Sequence, residues 1–462
     1  MPNSPEPIYG KLPSDWALVE VRDLVSSGKA DLQTGPFGTM LHASAYTSTG
    51  TPVVAVRNIG NNRLVHDELP RVDDTDLERL ERYKLKAGDI LFGRKGQVER
   101  RALVRPQEEG WLQGSDCIRL RALSNEIDSV FLSYVFGTRA YRDWIARHAQ
   151  GATMPSLNQE IVGRIPLPLP TVAEQRGISQ VLSTLDDKIE LNRRMNETLE
   201  AVARTIFKSW FVDFEPVRAR IEGHIPLVPL NLLDLFAHSL EDSELGMIPR
   251  GWRVGSVGEA CRRIAMGPFG SDIKTDNFVE IGVPVIRGVN LKRGFVDEGF
   301  VFVSENKADE LRNANAFSGD IVITHRGTLG QVGLIPNRSR FPRYVVSQSQ
   351  MLLSVEHSVA TTHFIFEYLR SPVGQHSLLA NTSQTGVPAI ARPVTSIKAM
   401  RLVLPPLPVL QAFEELVRPM AERSVANQAE ILSLASLRDT LLPKLLSGQI
   451  RLASTHSTEV PT

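Results

Sequence analysis

Two loops place arginine, lysine, asparagine and glutamine around glycine turns, a composition suited to nucleic-acid contacts. Gly93–Arg101 reads GRKGQVERR and Val56–Arg63 reads VRNIGNNR. Arginine pairs bidentately with guanine edges, asparagine and glutamine pair with adenine edges, and the basic groups also bind phosphate. The candidate DNA-binding residues in these loops are Arg57, Asn58, Arg63, Arg94, Lys95, Gln97 and Arg100.

Loops of similar composition recur in the second half of the chain. A single loop of this kind is as well explained by solvated arginines that form surface ion pairs. Because the loops occupy matching positions in both halves, the binding interpretation is favoured. The second set of candidate DNA-binding residues is Arg287, Asn290, Lys292, His325, Arg326 and Gln331.

No familiar catalytic motif accompanies these loops. The sequence lacks the spacings G-x-x-x-x-G-K-[ST], H-E-x-x-H, C-x-x-C and G-x-S-x-G. Gly327–Gly333 has glycines spaced three apart, which indicates a turn rather than a dinucleotide site. The histidines show no metal-ligand pairing. We therefore expect no catalytic residue, no metal site and no cofactor bound by this chain.

An internal duplication organises the chain. GPFGT at Gly35–Thr39 recurs as GPFGS at Gly267–Ser271, and Pro52 and Pro284 lie 232 residues apart in similar surroundings. AGDILFGRKG likewise returns as SGDIVITHRG, and IPLPLP as VLPPLP, in the same order. Each unit is too long for a solenoid repeat, so the pattern predicts two homologous globular domains. The GPFG turns are expected to bring two backbones close together, with Phe37 and Phe269 packed beneath.

Each domain is followed by a long helical segment. The first is expected to start from a capping box at Thr171 and Glu174 and to run to about Phe211. The second is expected from about Pro408 to Ser447, with a kink or break at Pro419 and Gly448 as terminator. Apolar residues in both recur in steps of three and four, which is coiled-coil spacing. Two such helices should pair antiparallel.

Asparagines interrupt the apolar seam of these helices. Asn192, Asn196 and Asn427 occupy seam positions. They indicate either a solvated patch or polar contacts that fix the register of one helix against the other, and we favour the second interpretation.

The sequence therefore predicts an α+β fold with two homologous mixed α/β domains, separated by two long antiparallel coiled-coil helices and related by pseudo-two-fold symmetry. Single helices are expected within the domains at Asp128–His148 and Ala360–Leu379. The predicted segments are a first domain at 1–165, a helical region at 166–216, a linker at 217–246, a second domain at 247–402, a helical region at 403–452 and a disordered tail at 453–462.

Composition restricts the class of protein. Lys plus Arg and Asp plus Glu are both 52, and 42% of the residues are hydrophobic, which is typical of a globular chain. Segment 246–400 carries a net charge of +5 and segment 166–245 one of −5, which mildly favours a globular domain as the anion-binding part. Two cysteines, no leader-like start and no long apolar run indicate a reduced, cytoplasmic protein with no membrane association.

The helical segments resemble a known family. Leu185–Val217 (LDDKIELNRRMNETLEAVARTIFKSWFVDFEPV) is similar to the first conserved region of the specificity (S) subunits of type I restriction–modification systems, and Leu437–Leu452 (LRDTLLPKLLSGQIRL) to the second. The resemblance implies a non-catalytic subunit of a type I site-specific deoxyribonuclease and adenine methyltransferase complex. Its domains would be target-recognition domains, each reading one half of a split, asymmetric site in double-stranded DNA.

The resemblance also implies partners. The two helices would act as a spacer and dock two methyltransferase (M) subunits, which carry S-adenosylmethionine, and a nuclease/translocase (R) subunit can join. Apolar surface left over after helix pairing would bind the M subunits. The candidate partner-binding residues are Phe207, Trp210, Phe211, Leu441, Leu442 and Leu445.

Three alternatives stay open from the sequence. The chain can serve a methylation-only complex that lacks a nuclease partner. It can be an enzyme that methylates or cuts DNA alone, or a protein scaffold with no DNA role. Methyl transfer by the purified chain would indicate the second, and binding without sequence preference would indicate the third.

Overall fold

The computed structural model describes residues 12–37, 40–151, 153–226, 228–268, 272–292, 294–383 and 386–452. The predicted disordered tail, 453–462, and Phe269 of the second GPFG turn lie outside these residues. The chain divides into two compact units, 1–190 together with 432–462, and 191–431. Each unit is described separately below.

The first unit combines short strands with helices. Its strands are β1 (Ala17–Glu20), β2 (Ala30–Thr34), β3 (Thr51–Val54), β4 (Arg71–Val72), β5 (Ile90–Gly93), β6 (Arg101–Leu103), β7 (Leu112–Gln113), β8 (Cys117–Ala122) and β9 (Pro166–Leu169). Its helices are α1 (Val21–Ser26), α2 (Asp74–Arg79), α3 (Ser129–Val135), α4 (Arg139–His148), α5 (Gln159–Gly163) and the first part of α6 (Val172–Phe211). The part from β1 to β9 is called the first domain.

An antiparallel sheet in the order β2-β8-β5-β6 forms the centre of the first domain. Ile90 in β5 pairs with Leu120 in β8 and with Leu103 in β6. All four residues of β5 are buried, which explains the continuous apolar run ILF in the sequence. The proline-rich segment Pro166–Leu169 pairs antiparallel with β1, so the domain extends past residue 165.

The helix predicted over Asp128–His148 is two helices. α3 ends before Gly137, and Thr138 starts α4 by accepting a hydrogen bond from the Tyr141 backbone N–H. Gly137 leaves room for the buried Arg101, because a Cβ there would lie 2.0 Å from a guanidinium nitrogen. The single-helix prediction was therefore wrong, since the break is imposed by a contact from a distant strand.

The long helices contribute to the core of the first unit. Leu182 of α6 and Leu445, near the end of the second long helix, are buried in the same apolar cluster. Arg438 donates to Asp186 at 2.7 Å, and the Tyr134 hydroxyl donates to the same carboxylate at 2.8 Å. Desolvation together with Asp186 raises the pKa of Tyr134 far above its usual value, so this phenol stays a hydrogen-bond donor.

The second unit repeats this mixture. Its strands are β10 (Leu240–Ser243), β11 (Gly246–Pro249), β12 (Arg253–Ser256), β13 (Cys261–Met266), β14 (Phe278–Val279), β15 (Val283–Ile286), β16 (Val301–Val303), β17 (Asn315–Ala316), β18 (Ile321–Thr324), β19 (Val332–Leu334), β20 (Tyr344–Val346), β21 (Gln350–Val355), β22 (Thr382–Ser383), β23 (Ala389–Ile390) and β24 (Arg401–Leu404). Its helices are α7 (Glu215–Glu222), α8 (Val257–Ala260), α9 (Glu305–Glu310), α10 (Thr362–Arg370), α11 (Pro372–Leu379), α12 (Pro393–Ala399) and the first part of α13 (Leu407–Leu446). The part from β12 to β24 is called the second domain.

The sheet order β13-β21-β18-β19 of the second domain matches that of the first. Ile321 in β18 pairs with Leu353 and Leu334, as Ile90 pairs with Leu120 and Leu103 in the first domain. A second sheet has the order β14-β16-β15-β20-β17, in which β15 and β20 are parallel. The duplication read from the sequence is thus a duplication of topology.

α6 and α13 pair antiparallel in the second unit. Asn192 donates to Glu430 at 2.9 Å and Asn196 to the Ser424 carbonyl at 3.3 Å, so the partner's number falls as the number along α6 rises. The seam asparagines therefore make cross-helix contacts, which confirms the favoured interpretation. α13 continues through Pro419, so the predicted break does not occur.

Two further segments depart from prediction. Ser371 caps α11, with Pro372 as its first residue, so the helix predicted at Ala360–Leu379 is also two helices. The predicted linker, 217–246, contains most of α7 and the start of a hairpin formed by β10 and β11. Val217 and Phe236 from this segment are buried in the core of the second unit, so it is part of the fold.

Among the helices that the structure describes, none is both long and apolar enough to cross a membrane.

Candidate DNA interface

The turn between β5 and β6 carries the first basic loop. Its backbone is fixed on both sides, because the Arg94 N–H donates to the Asp116 carbonyl at 2.8 Å and the Leu157 N–H donates to the Arg94 carbonyl at 2.8 Å. Gly96 has φ +77°, which favours glycine. Arg94 is half-buried, whereas the other predicted contacts, Lys95, Gln97 and Arg100, are exposed. A rigid turn therefore presents these polar side chains to solvent.

The turn between β18 and β19 has the same frame. The His325 N–H donates to the Ser349 carbonyl at 3.0 Å, and the Ile390 N–H donates to the His325 carbonyl at 2.9 Å. His325 thus occupies the position of Arg94, and Arg326 that of Lys95. Arg326 is exposed. The structure places these predicted residues at equivalent sites of the two domains.

His325, unlike Arg326, is buried. Its side chain is only 5% exposed, and its Nε2 lies 3.2 Å from the Gln348 carbonyl oxygen. Burial lowers the pKa of His325, so the imidazole is neutral at neutral pH. A buried neutral ring offers no charge to phosphate, and a DNA contact by this side chain stays a prediction.

Asn58 and Asn290 are also interior residues, each 1% exposed. The Asn58 amide accepts from the Ala55 N–H at 3.2 Å and donates to the Asp67 carbonyl at 2.9 Å. The Asn290 amide accepts from the Arg287 N–H at 3.0 Å and donates to the Glu298 carbonyl at 2.8 Å. Both amides are committed to the turn after the strand. The two amides hold the turn, and their base contacts stay a prediction.

The remaining predicted cations differ in their exposure and in the acceptors that they already contact. Arg57 is exposed and donates to the Glu68 carbonyl at 2.8 Å. Arg63 forms an ion pair with Glu190 of α6 at 2.7 Å, which offsets part of its charge. Lys95 lies 3.6 Å from an Asp116 carboxylate oxygen. Lys292 is exposed. These surface pairs are weak enough to exchange for a phosphate.

A cleft of about 360 Å³ opens in the second domain. It contains three of the predicted contacts, Arg287, Arg326 and Gln331, together with Phe278. Its other lining residues are Ile273, Val285, Gly288, Thr324, Thr328, Ser347, Gln348, Ser349 and Gln350. Cationic and amide groups that are distant in the sequence thus converge on one concave surface.

A chain of hydrogen bonds forms the floor of this cleft. Ser347 donates to the Gln350 carboxamide oxygen, and the Gln350 amide donates to the Thr324 hydroxyl at 3.2 Å. The Thr324 hydroxyl donates to the Gln331 carboxamide oxygen at 2.9 Å. The order of this chain fixes which way each amide points, so the floor presents donors and acceptors at set positions.

Sequence reasoning missed an aromatic position. Phe278 lines the cleft and is 38% exposed. Its counterpart Tyr46, 232 residues earlier, is 39% exposed, and it lies close enough to Arg57 and Asp116 for their charges to affect its pKa, which desolvation chiefly raises. The repeat spacing pairs these two aromatic residues and was the signal that could have found them.

The GPFG turns bring two backbones together, as predicted. A Cβ at Gly35 would lie 1.9 Å from the Gly114 carbonyl oxygen, and one at Gly267 would lie 1.9 Å from the Ser347 carbonyl oxygen. Phe37 is 62% exposed, so its predicted packing beneath the turn was wrong. Gly35 and Gly267 thus allow the close approach of the two backbones.

The predicted partner-binding aromatics are in the interior. Phe207, Trp210 and Phe211 are 3%, 1% and 7% exposed and belong to the core of the second unit. Leu445 is 1% exposed in the core of the first unit, and Leu441 and Leu442 pack partly buried against it. Phe207, Trp210, Phe211 and Leu445 are thus buried within their own units, and their binding to a partner stays a prediction. The chain uses this apolar surface to join its own helices to its domains.

Groups with catalytic potential are few in the described part of the chain. No group of three or more histidine, cysteine, aspartate or glutamate side chains is placed there to hold a metal ion. Cys117 and Cys261 are free thiols, and burial raises the pKa of each to about 12. Such thiols stay protonated at neutral pH.

Comparison with known proteins finds similar sequences of one kind. Residues 13–201 match the family model of the type I restriction modification DNA specificity domain. The type I restriction enzyme MjaIX specificity subunit of Methanocaldococcus jannaschii is 24% identical over 96% of this chain and 95% of its own length. The HindI specificity subunit of Haemophilus influenzae is also 24% identical, over 86% of this chain and 95% of its own length.

A solved structure supports the same fold. The type I restriction–modification S subunit from M. genitalium superposes with a TM-score of 0.57 at 15% identity, covering 95% of this chain and 98% of that one. The likeness shows that the two proteins share a fold. Residues 13–201 are similar to the type I restriction modification DNA specificity domain, and most of the chain is similar to specificity subunits of type I restriction enzymes.

Proposed function

We propose that this chain is the sequence-reading subunit of a type I restriction–modification complex and that each domain reads one half of a bipartite, asymmetric DNA site. The observation that supports this most directly is the pair of equivalent turns, β5–β6 and β18–β19, which present different side chains on one backbone frame. Arg94 and Lys95 stand where His325 and Arg326 stand in the second domain. The same turn backbone with different side chains suits two related domains that read different DNA half-sites.

The proposed DNA-contact residues fall into groups according to their exposure. Exposed cations, Arg57, Lys95, Lys292 and Arg326, are placed to bind phosphate and set the register of the complex on the duplex. Arg94, Arg287 and Gln331 are partly buried and held against fixed backbone, so they are assigned to base edges. Gln97, Arg100 and Arg63 add exposed polar groups around the first turn.

The long helices would act as the spacer between the half-sites. α6 and α13 each span 40 residues, which corresponds to roughly 60 Å of helix at ~1.5 Å per residue. Within each unit the helices are joined to the core of a domain, and the asparagine contacts set their register. A fixed helix length would then set a fixed number of base pairs between half-sites.

Docking of two M subunits is assigned to the exposed faces of the helices. Leu191 and Val202 of α6 are 54% and 39% exposed and lie 11 residues apart, or about three turns, so they share one face. The M subunits would supply S-adenosylmethionine and the methyl transfer, and an R subunit, where present, would supply DNA cleavage. Without R the same chain would serve a methylation-only complex, in the cytoplasm in either case.

Methylation mapping of the host genome tests the proposal. The expected result is methylated adenines in two different half-sites separated by a constant spacer, lost when this chain is deleted. In the reconstituted complex, Arg94→Ala should relax the first half-site alone and Arg326→Ala should weaken all sequences about equally. Methyl transfer by the purified chain alone, or modification without sequence preference, would contradict the proposal. Cleavage of unmodified DNA by the native complex would distinguish a restriction–modification complex from a methylation-only complex.

A further inference from the structure

The turn that follows β3 and β15 holds one residue in the same place in both domains. Ala55 precedes Asn58 as Arg287 precedes Asn290, and each asparagine accepts a hydrogen bond from that residue's N–H, at 3.2 and 3.0 Å. The strand before it pairs in parallel with its neighbour in both cases. Position 55 therefore corresponds to position 287, where alanine and arginine occupy one backbone frame.

Arg287 has unused hydrogen-bonding capacity. Its side chain lines the cleft and donates to the Gly299 carbonyl at 3.4 Å, a long bond. Its Nε is buried and has no acceptor within the described part of the chain. Buried donors are normally satisfied, so the described residues leave part of the hydrogen-bonding capacity of this guanidinium unused.

The polar floor of the cleft favours a base edge over a phosphate as the bound group. A phosphate offers oxygen acceptors only, whereas a base edge offers acceptors and donors in a fixed pattern. The Gln331 carboxamide turns its oxygen toward Thr324, and Gly288 makes room for that oxygen, because a Cβ there would lie 3.2 Å from it. The oriented chain of Ser347, Gln350, Thr324 and Gln331 is thus a mixed donor and acceptor surface, which suits a base.

The first domain lacks this polar floor. Gly93 ends β5 as Thr324 ends β18, and Cys117 takes the place of Gln350, since the two accept from the equivalent Gly35 and Gly267 N–H groups. The Cys117 thiol is buried and donates to the Val54 carbonyl at 3.3 Å, in a cluster that also includes Val56. The hydrogen-bonded side chains of Thr324 and Gln350 therefore have no counterpart in the first domain, where Gly93 and Cys117 take their places.

On the basis of the proposed function, we infer that Arg287 reads a guanine in the second half-site and that the first half-site has no guanine contact at the equivalent position. The guanidinium would donate to guanine O6 and N7, the acceptor pair that arginine matches bidentately. Ala55 offers only a methyl group, so the same frame reads no guanine in the first domain. Positions 55 and 287 are thus specificity-determining positions.

The test uses the complete complex with its native M subunits. Arg287→Ala should relax one guanine in the second half-site, with roughly 5- to 150-fold loss of discrimination, corresponding to ~1–3 kcal/mol. The first half-site and the spacer should stay unchanged, which also reports that the complex is folded. Arg287→Gln should move the preference at that position from guanine toward adenine, since glutamine pairs with adenine edges.

Arg338→Ala is the matched control, because Arg338 is an exposed arginine of the same domain that does not line the cleft. It should leave both half-sites unchanged. Uniform weakening over all sequences by Arg287→Ala would make Arg287 a phosphate contact and overturn the inference, as would an unchanged second half-site. A wild-type complex that shows no bipartite site would instead overturn the proposed function, and this inference with it.

Discussion

Asn427 donates from its amide nitrogen to the Asn196 carboxamide oxygen at 2.8 Å, across the seam between α6 and α13. Asn427 is 1% exposed, so the bond is shielded from water. Neither helix can slide by one turn without leaving these amides against apolar neighbours. The contact therefore specifies one antiparallel register, as polar seam residues do in coiled coils.

Replacing one member of this pair should destabilise the second unit. Asn427→Leu leaves the Asn196 carboxamide oxygen without its donor, at a cost of ~1–3 kcal/mol. Denaturant unfolding of the intact chain measures the difference, with the exposed Thr198→Ala as control. The double change Asn196→Leu with Asn427→Leu should recover most of the stability. A single variant as stable as the native chain would show that the bond does not hold the register.

Trp210 should behave as a core residue. It is 1% exposed and packs edge-on against Phe236, with ring centroids 5.0 Å apart. Trp210→Ala should lower the free energy of unfolding by ~3–5 kcal/mol through loss of burial and creation of a cavity. Thermal unfolding of the purified chain is the measurement. Full stability combined with lost M-subunit binding would restore the docking role that the sequence suggested.

Leu191 and Val202 should show the opposite behaviour. Changing both to aspartate alters exposed positions, so the melting temperature should move little, whereas co-purification of M subunits should fall at least tenfold. Aspartate at the exposed positions Arg193 and Glu197 of the same helix serves as control. M subunits that bind the double variant as tightly as the native chain would place the docking surface elsewhere.

The two thiols should be chemically silent in the folded chain. Because burial raises the pKa of Cys117 and of Cys261 to about 12, the reactive thiolate is scarce between pH 7 and pH 8. A thiol reagent should label neither cysteine in native buffer and both in denaturant. Rapid labelling of either one before unfolding would show that its surroundings open locally.

Lengthening the helices should lengthen the spacer. Four residues added to each of α6 and α13, about one turn, extend the pair by roughly 6 Å at ~1.5 Å per residue, which corresponds to one or two base pairs at ~3.4 Å each. Methylation mapping should show the same half-sites with the longer separation. Changed half-site bases with the original spacer would mean that the helices do not set the distance.

Periodicity and repetition made much of this fold predictable. The order of motifs gave the duplication, and the spacing from Leu182 onward gave the paired helices, because both are properties of the chain itself. The break at Gly137 was not predictable in this way, because it depends on the contact with Arg101, which is distant in the sequence. The break at Ser371 has a local cause, the Ser371 cap followed by Pro372.

The sequence predicted which turns carry the candidate site, but not which of their side chains are exposed. Composition located the turns that carry Arg94 and Arg326, but it did not separate Asn58 from its exposed neighbours, since burial is decided by the tertiary fold. The cleft that contains Arg287 is built from four separate segments that meet only in the folded chain. For the same reason, apolar content alone could not show that Trp210 faces the core of its own unit.

The first unit is assembled from the two ends of the chain, 1–190 and 432–462. Leu445 and Leu446 complete its core, and Arg451 donates to Asp15 at 2.8 Å. The core of the first unit therefore closes only when distant segments meet, such as Asp15 and Arg451, which lie 436 residues apart. The second unit is continuous. A chain that lacks residues 432–452 would thus leave the core of the first unit incomplete while the second unit can still fold.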